Sequence, residues 1–113
     1  MKYLMLVCVD ESFILPPAEE AQMPARTERW ATDVDGRDVR VLGSRVQPVS
    51  AARTVRVRDG AVLVEEGPFA ATTPQIAGFD VLECATPEEA VEVAAAHPVA
   101  PHGVLELRPF WQG

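Results

Sequence analysis

The run of residues 3–9 constrains the fold more than any other feature, because every one of its positions is apolar. Side chains alternate between the two faces of a strand, so a strand formed here is apolar on both faces. Asp10 and Glu11 end the run. Such a strand belongs at the centre of a sheet that is covered on both sides. The chain therefore has to cover two sheet faces, with its own elements or with a second copy.

Three further strands and two helices are predicted around this first strand. The strands are residues 39–46, 79–85 and 104–108, each rich in apolar side chains. In the last strand Leu105 and Leu107 share the face expected to meet the helices, so Glu106 and Arg108 point to the other face.

The two helices differ in how clearly the sequence marks their ends. The first is predicted over residues 24–35, with Pro24 in its first turn and Trp30 as a buried contact. The second follows a capping box, in which the Thr86 hydroxyl accepts a hydrogen bond from the Glu89 backbone N–H. It is expected to end before Pro98, because a proline disfavours helical geometry in the residue preceding it.

Residues 54–64 carry the clearest local pattern, a β-hairpin. Asp59 and Gly60 supply the positive φ angles of a two-residue turn. On the outgoing strand Val55 and Val57 share one face, and polar residues share the other.

With the hairpin set aside as an insertion, the element order is βαββαβ, which predicts an α+β ferredoxin-like sandwich in one domain over residues 1–113. Both helices of this fold cover the same sheet face. Two copies packed sheet against sheet would cover the other face and enclose a dimeric α+β barrel. The alternative is that the hairpin and Phe110-Trp111 fold back over this face within one chain.

Composition narrows the classes of partner. A net charge of -7 opposes binding to nucleic acid, and no apolar run approaches the roughly 20 residues of a membrane span. A soluble cytoplasmic protein is expected. Cys8 and Cys84 are predicted to be free thiols, and no histidine or cysteine cluster has metal-ligand spacing, so neither metal nor cofactor is expected.

Several segments together resemble the YCII-related proteins of the DGPF type. They are Glu66-Gly-Pro-Phe-Ala70 after the hairpin, Met1-Lys-Tyr-Leu-Met-Leu at the start, Ala77-Gly-Phe79 and Glu106-Leu-Arg-Pro109. The resemblance implies a ferredoxin-like fold, a homodimer and a candidate active-site carboxylate at residue 66. Glu66 stands where these proteins usually have Asp, so a geometry suited to Asp would be displaced by one methylene.

Two functions are compatible with these observations. The first is a small-molecule-binding protein or enzyme that uses a cavity between the sheets of the homodimer, lined by apolar residues such as Tyr3 and Met5 and able to hold a small organic acid or aromatic. Its candidate residues are Glu66 and His102 as catalytic groups and Arg45, Phe69, Phe79, Glu106 and Arg108 as ligand-binding groups.

Glu106 and Arg108 also have a purely structural interpretation, an ion pair that fixes the register of the dimer. The second function follows from the resemblance to DGPF-type proteins. It is a non-catalytic interaction module associated with an extracytoplasmic-function sigma factor. Whether the chain is an enzyme is left open by the sequence.

Overall fold

The computed structural model describes residues 1–112. It contains six strands and two α-helices within these residues. The strands are β1 Lys2–Val9, β2 Arg40–Arg45, β3 Arg53–Arg58, β4 Ala61–Glu66, β5 Gln75–Glu83 and β6 Val104–Pro109, and the helices are α1 Pro17–Gly36 and α2 Pro87–Ala95.

Four strands form the main sheet in the order β2-β5-β1-β6, and all neighbours are antiparallel. This is the order of a ferredoxin-like sandwich, with β1 at the centre as its two apolar faces predicted. β3 and β4 form a separate two-stranded sheet. The predicted fold, a ferredoxin-like unit with an extra hairpin, is therefore confirmed.

Both helices pack on one face of the main sheet. From β1, the core takes Tyr3, Met5 and Val7, while Leu105 and Leu107 of β6 pack against its edge as predicted. The expectation that Tyr3 and Met5 line a cavity between two copies is therefore wrong. These two side chains alternate with Leu4 and Leu6, and it is the odd-numbered set that the helices cover.

The first helix begins at Pro17, seven residues before the predicted start, and Pro24 lies inside it. Residues 18–23 are mostly Ala, Glu, Gln and Met, which favour helix, and Pro17 occupies the first turn, where a missing N–H costs nothing. Trp30 is buried as predicted. The predicted start was wrong because Pro24 does not begin the helix but lies in its interior.

The second helix has the predicted capping box. The Thr86 hydroxyl accepts a hydrogen bond from the Glu89 N–H at 3.1 Å, and the Glu89 carboxylate accepts one from the Ala85 N–H at 3.0 Å. The helix ends at Ala95, before Pro98. No helix among residues 1–112 has the length and apolarity to span a bilayer.

The hairpin formed by residues 53–66 is called the arm below. Its turn is as predicted, with φ of 50° at Asp59 and 77° at Gly60. The strand register places four valines on one face, and this valine stripe is 58–66% exposed. It consists of Val55, Val57, Val62 and Val64. The arm therefore does not fold back over the main sheet, and Trp111 is fully exposed as well.

The sheet face away from the helices is called the open sheet face. Antiparallel partners share a face, so the register assigns its side chains. Its apolar members are Leu4, Leu6, Cys8, Leu42, Ile76, Phe79, Val81 and Val104. None of them is buried in one chain. Cys8 and Cys84 are both free thiols, as predicted.

Candidate functional site

A cleft of about 660 Å³ lies on the helix side of the main sheet. Its roof comes from α1 and from the segment that follows β1. Its floor comes from β2 and β5, and the turn before β6 closes one end. A volume of this size suits a small organic ligand.

A carboxylate lies on the floor of this cleft. Asp80 of β5 points to the same face as Leu82 and is 5% exposed. It fits there because its cross-strand neighbour on β2 is Gly43. A Cβ atom at Gly43 would lie 1.9 Å from Asp80 Oδ1, so any other residue would displace the carboxylate.

Arg40 connects this carboxylate to a second one. Its Nη1 donates to Asp80 Oδ1 at 3.4 Å, and its Nε donates to Asp35 Oδ1 at 3.0 Å. Among residues 1–112 no donor reaches Asp80 Oδ2, and no fully buried side-chain oxygen lacks a partner. Oδ2 is therefore accessible from the cleft, where it can hydrogen-bond to a ligand.

Burial sets the ionisation of this carboxyl. Loss of hydration raises the pKa of Asp80 to about 6, although the neighbouring Arg40 guanidinium acts in the opposite direction. A carboxyl that titrates close to neutral pH can accept or donate a proton. Perturbed carboxyls that line clefts are candidates for functional sites.

An aromatic group forms the inner wall of the cleft. The rings of Trp30 and His97 meet edge to face with centroids 4.7 Å apart. His97 Nδ1 accepts a hydrogen bond from the Val99 N–H at 3.0 Å, and burial lowers the pKa of His97 to about 4. The imidazole is therefore neutral near pH 7 with its proton on Nε2. Trp30 Nε1 donates to the Val93 carbonyl at 3.0 Å, which joins α1 to α2.

Three residues predicted from the sequence border this same cleft. Arg45 pairs with Gly78 on β5 and faces the helix side. His102 stacks on Phe13, with ring centroids 5.8 Å apart. Phe79 also borders the cleft, but its register partner Leu6 places its side chain on the open sheet face.

The other predicted residues lie elsewhere. Glu106 and Arg108 are on the open sheet face, where the Arg108 Nε donates to the Glu106 carboxylate, so the predicted side-by-side pair is present. Glu66 ends β4 with its side chain 88% exposed, 3.7 Å from Arg53. Phe69 follows the arm and is largely exposed. The structure therefore divides the predicted site among the cleft, the open sheet face and the arm.

Asp80 and Arg40 are the site residues that the sequence analysis missed. A signal was present: Asp80 is in phase with Leu82 along β5, so a charged residue occupies an inward position of a strand. A buried charge without an evident partner in the sequence marks a functional candidate.

Comparisons with known proteins agree with this fold. A solved structure of 5-chloro-2-hydroxyhydroquinone dehydrochlorinase from Burkholderia phenoliruptrix AC1100, in complex with 2,5-dihydroxybenzoquinone, superimposes with a TM-score of 0.52. The match covers 100% of this chain and 96% of that one at 12% identity, so it shows similarity of fold.

Sequence relatives extend the comparison. An uncharacterized protein of Rhizobium meliloti (strain 1021) is 32% identical, over 74% of this chain and 82% of the relative. The model of the YCII-related domain matches residues 1–112. The chain therefore belongs to the YCII-related family.

Proposed function

We propose that this protein binds a small organic molecule in the cleft beneath α1, with Asp80 as the group that contacts the ligand's polar atom. The observation that carries this proposal is the combination of a 660 Å³ cleft with a buried carboxylate on its floor whose Oδ2 has no donor within residues 1–112. Oδ2 is an acceptor open to the cleft, and a ligand donor that reaches it makes a charge-assisted hydrogen bond when Asp80 is ionised.

The lining indicates the chemistry of the ligand. When ionised, Asp80 accepts a hydrogen bond from a ligand O–H or N–H, and when protonated it donates one. Phe13, Trp30 and His102 offer ring faces or edges, while Arg45 offers a cation for an acidic substituent. A hydroxylated aromatic or a small organic acid matches this set. The solved structure of similar fold holds a dihydroxybenzoquinone, which supports the proposal by analogy.

The cavity expected between two sheets is the competing location for the ligand. It would lie on the open sheet face beside Glu106 and Arg108, on the opposite side of the sheet from Asp80. Those two groups already pair with each other and are well exposed. The cleft is the better candidate because one chain supplies a complete set of apolar, aromatic and charged lining residues.

A thermal-shift screen of hydroxylated aromatics and small organic acids tests the proposal. We expect at least one compound to raise the melting temperature, and Asp80→Asn to weaken its binding about tenfold, since the isosteric amide loses one acceptor oxygen. Glu106→Gln is the matched control on the other face and should bind normally. An inert screen, or a loss of binding in Glu106→Gln alone, would contradict the proposal.

We also propose that the protein is a homodimer, with the open sheet face as the interface. The apolar side chains of this face are uncovered in one chain, which supports an interface there. A cytoplasmic location and association with a sigma factor stay predictions.

A further inference from the structure

We infer that the arm is a dimerisation element, whose valine stripe packs on the open sheet face of a second copy of this chain. The inference rests on the proposed homodimer and specifies what covers that face. Each chain has two apolar surfaces that its own elements do not cover, the valine stripe of the arm and the open sheet face.

The composition of the arm indicates that another layer packs on it. Two-stranded hairpins are only marginally stable in water unless a further layer packs on them. The side of the arm opposite the stripe is polar at both ends and carries an ion pair between Arg56 and Glu65 at 3.4 Å. The stripe face is charged only at its base, where Arg53 and Glu66 pair, whereas Leu63 is the one large apolar residue on the opposite face. A mainly apolar and a mainly charged face are the pattern of a sheet that is covered on one side.

The arm's own chain does not supply the cover. Within residues 1–112, β3 and β4 pack extensively only on each other, so the main sheet and the helices do not cover the arm. At its base, Gly67 N–H donates to the Ala52 carbonyl at 2.8 Å, and Thr54 Oγ1 donates to the Gly67 carbonyl at 2.9 Å. These bonds hold the base of the hairpin together and leave the valines more than half exposed.

The areas are compatible with a stable homodimer. Four valines, each about 60% exposed, present roughly 350 Å² of apolar surface, a typical size for an interaction patch. In a twofold dimer two stripes and two receiving faces would bury about 1,400 Å² in total, which falls within the standard range for stable interfaces. A second copy therefore covers both the valine stripe and the open sheet face.

The centre of the open sheet face carries no charged side chain, so the valine stripe can pack on it. On the open sheet face the register places charged side chains only at the margins: Glu106 and Arg108, which pair with each other on the edge strand β6, and Lys2 and Glu83 at the ends of β1 and β5. Between those strand ends, the positions on β1 and β5 that alternate with the core are apolar. An uncharged stripe is the complementary partner for such a face.

Adjacent residues of β4 provide the test, because Val62 belongs to the stripe and Leu63 lies on the opposite face. Sedimentation velocity should show wild type at twice 12.3 kDa. Val62→Glu should raise the dimer dissociation constant by at least about tenfold, whereas Leu63→Glu should leave it unchanged. The milder double variant Val62→Thr/Val64→Thr keeps β-forming residues, and circular dichroism should confirm that each variant is folded.

The outcomes separate the two proposals. A monomeric wild type would overturn both the homodimer and the arm's role in it. A dimeric wild type whose mass survives both Val62→Glu and the double threonine variant would overturn the arm alone and leave the homodimer standing. Equal weakening by Val62→Glu and Leu63→Glu would also overturn the inference, since the effect would not belong to one face.

Discussion

Single residues decide the geometry of the cleft floor, and Gly43 is the clearest case. We predict that Gly43→Ala lowers the free energy of unfolding by about 1–3 kcal/mol, because the added methyl group would overlap the Asp80 carboxylate. Urea denaturation measures the change. Gly36→Ala is the matched control, since a Cβ at Gly36 has no neighbour within 4 Å and should cost little.

The cost at Gly43 should depend on the residue across the strand. In an Asp80→Ala background the same substitution should be less costly, because the clashing carboxylate is gone, and a double-mutant cycle measures the difference. Additive costs would show that Asp80 does not lie over Gly43.

Asp80 and His97 affect stability in opposite directions as the pH changes. Burial raises the pKa of Asp80 to about 6, so the folded state holds a proton that the unfolded state has lost, and stability falls as pH rises from about 4 to 6. Burial lowers the pKa of His97 to about 4, so its contribution is lost as pH falls from about 6.5 to 4.

These opposing contributions lead to a prediction for Asp80→Asn. Asp80→Asn removes the loss of stability that Asp80 causes as the pH rises, and leaves the contribution of His97 in place. Between pH 4 and pH 7.5 the free energy of unfolding of the variant should therefore increase by about 2–3 kcal/mol relative to that of wild type. Unfolding free energies at several pH values test this. Parallel pH profiles for the two proteins would contradict it.

The site was only partly predictable from the sequence for a physical reason. Arg45 and His102 were chosen for their chemistry, and both border the cleft. Asp80 was missed because its environment is created by tertiary structure. Both Gly43 and Arg40 belong to another strand, β2, of which Arg40 is the first residue. Side-chain spacing along one strand cannot reveal such a cross-strand arrangement.

At the scale of elements, the capping box of α2 provides the next prediction. Thr86→Ala should lower the free energy of unfolding by about 1 kcal/mol, because the Glu89 N–H loses its side-chain acceptor. Thr86→Ser keeps the hydroxyl and serves as the control in the same thermal or urea denaturation. Equal stability of the alanine variant and wild type would show that water replaces the cap at no cost.

Elements with local signals were predicted well, and those defined by tertiary contacts were not. The turn at Asp59-Gly60 and the cap at Thr86 need only neighbouring residues, and both were confirmed. The start of α1 was wrong because a proline inside a helix and a proline at its beginning give the same local signal. The helix-covered face of β1 was also ambiguous, since both of its faces are apolar.

At the scale of the whole molecule, the sheet separates two surfaces. The cleft with Asp80 lies between the sheet and α1, and the open sheet face looks the other way. Within residues 1–112 every wall of the cleft comes from one chain. Ligand binding and dimer formation should therefore be independent, although a cavity between two sheets would make them inseparable.

This independence yields the last prediction. A folded Val62→Glu variant that has become monomeric should keep the Asp80 carboxyl titrating near pH 6, because burial beneath α1 and contact with Arg40 do not involve the arm. Carbon-detected NMR of the carboxyl resonance, recorded on wild type and variant across pH 4–8, measures the pKa directly. Leu63→Glu controls for the added charge. If the pKa of Asp80 fell to its ordinary value in the monomer alone, the partner copy would have to contribute to the burial of the cleft, and the two surfaces would be coupled.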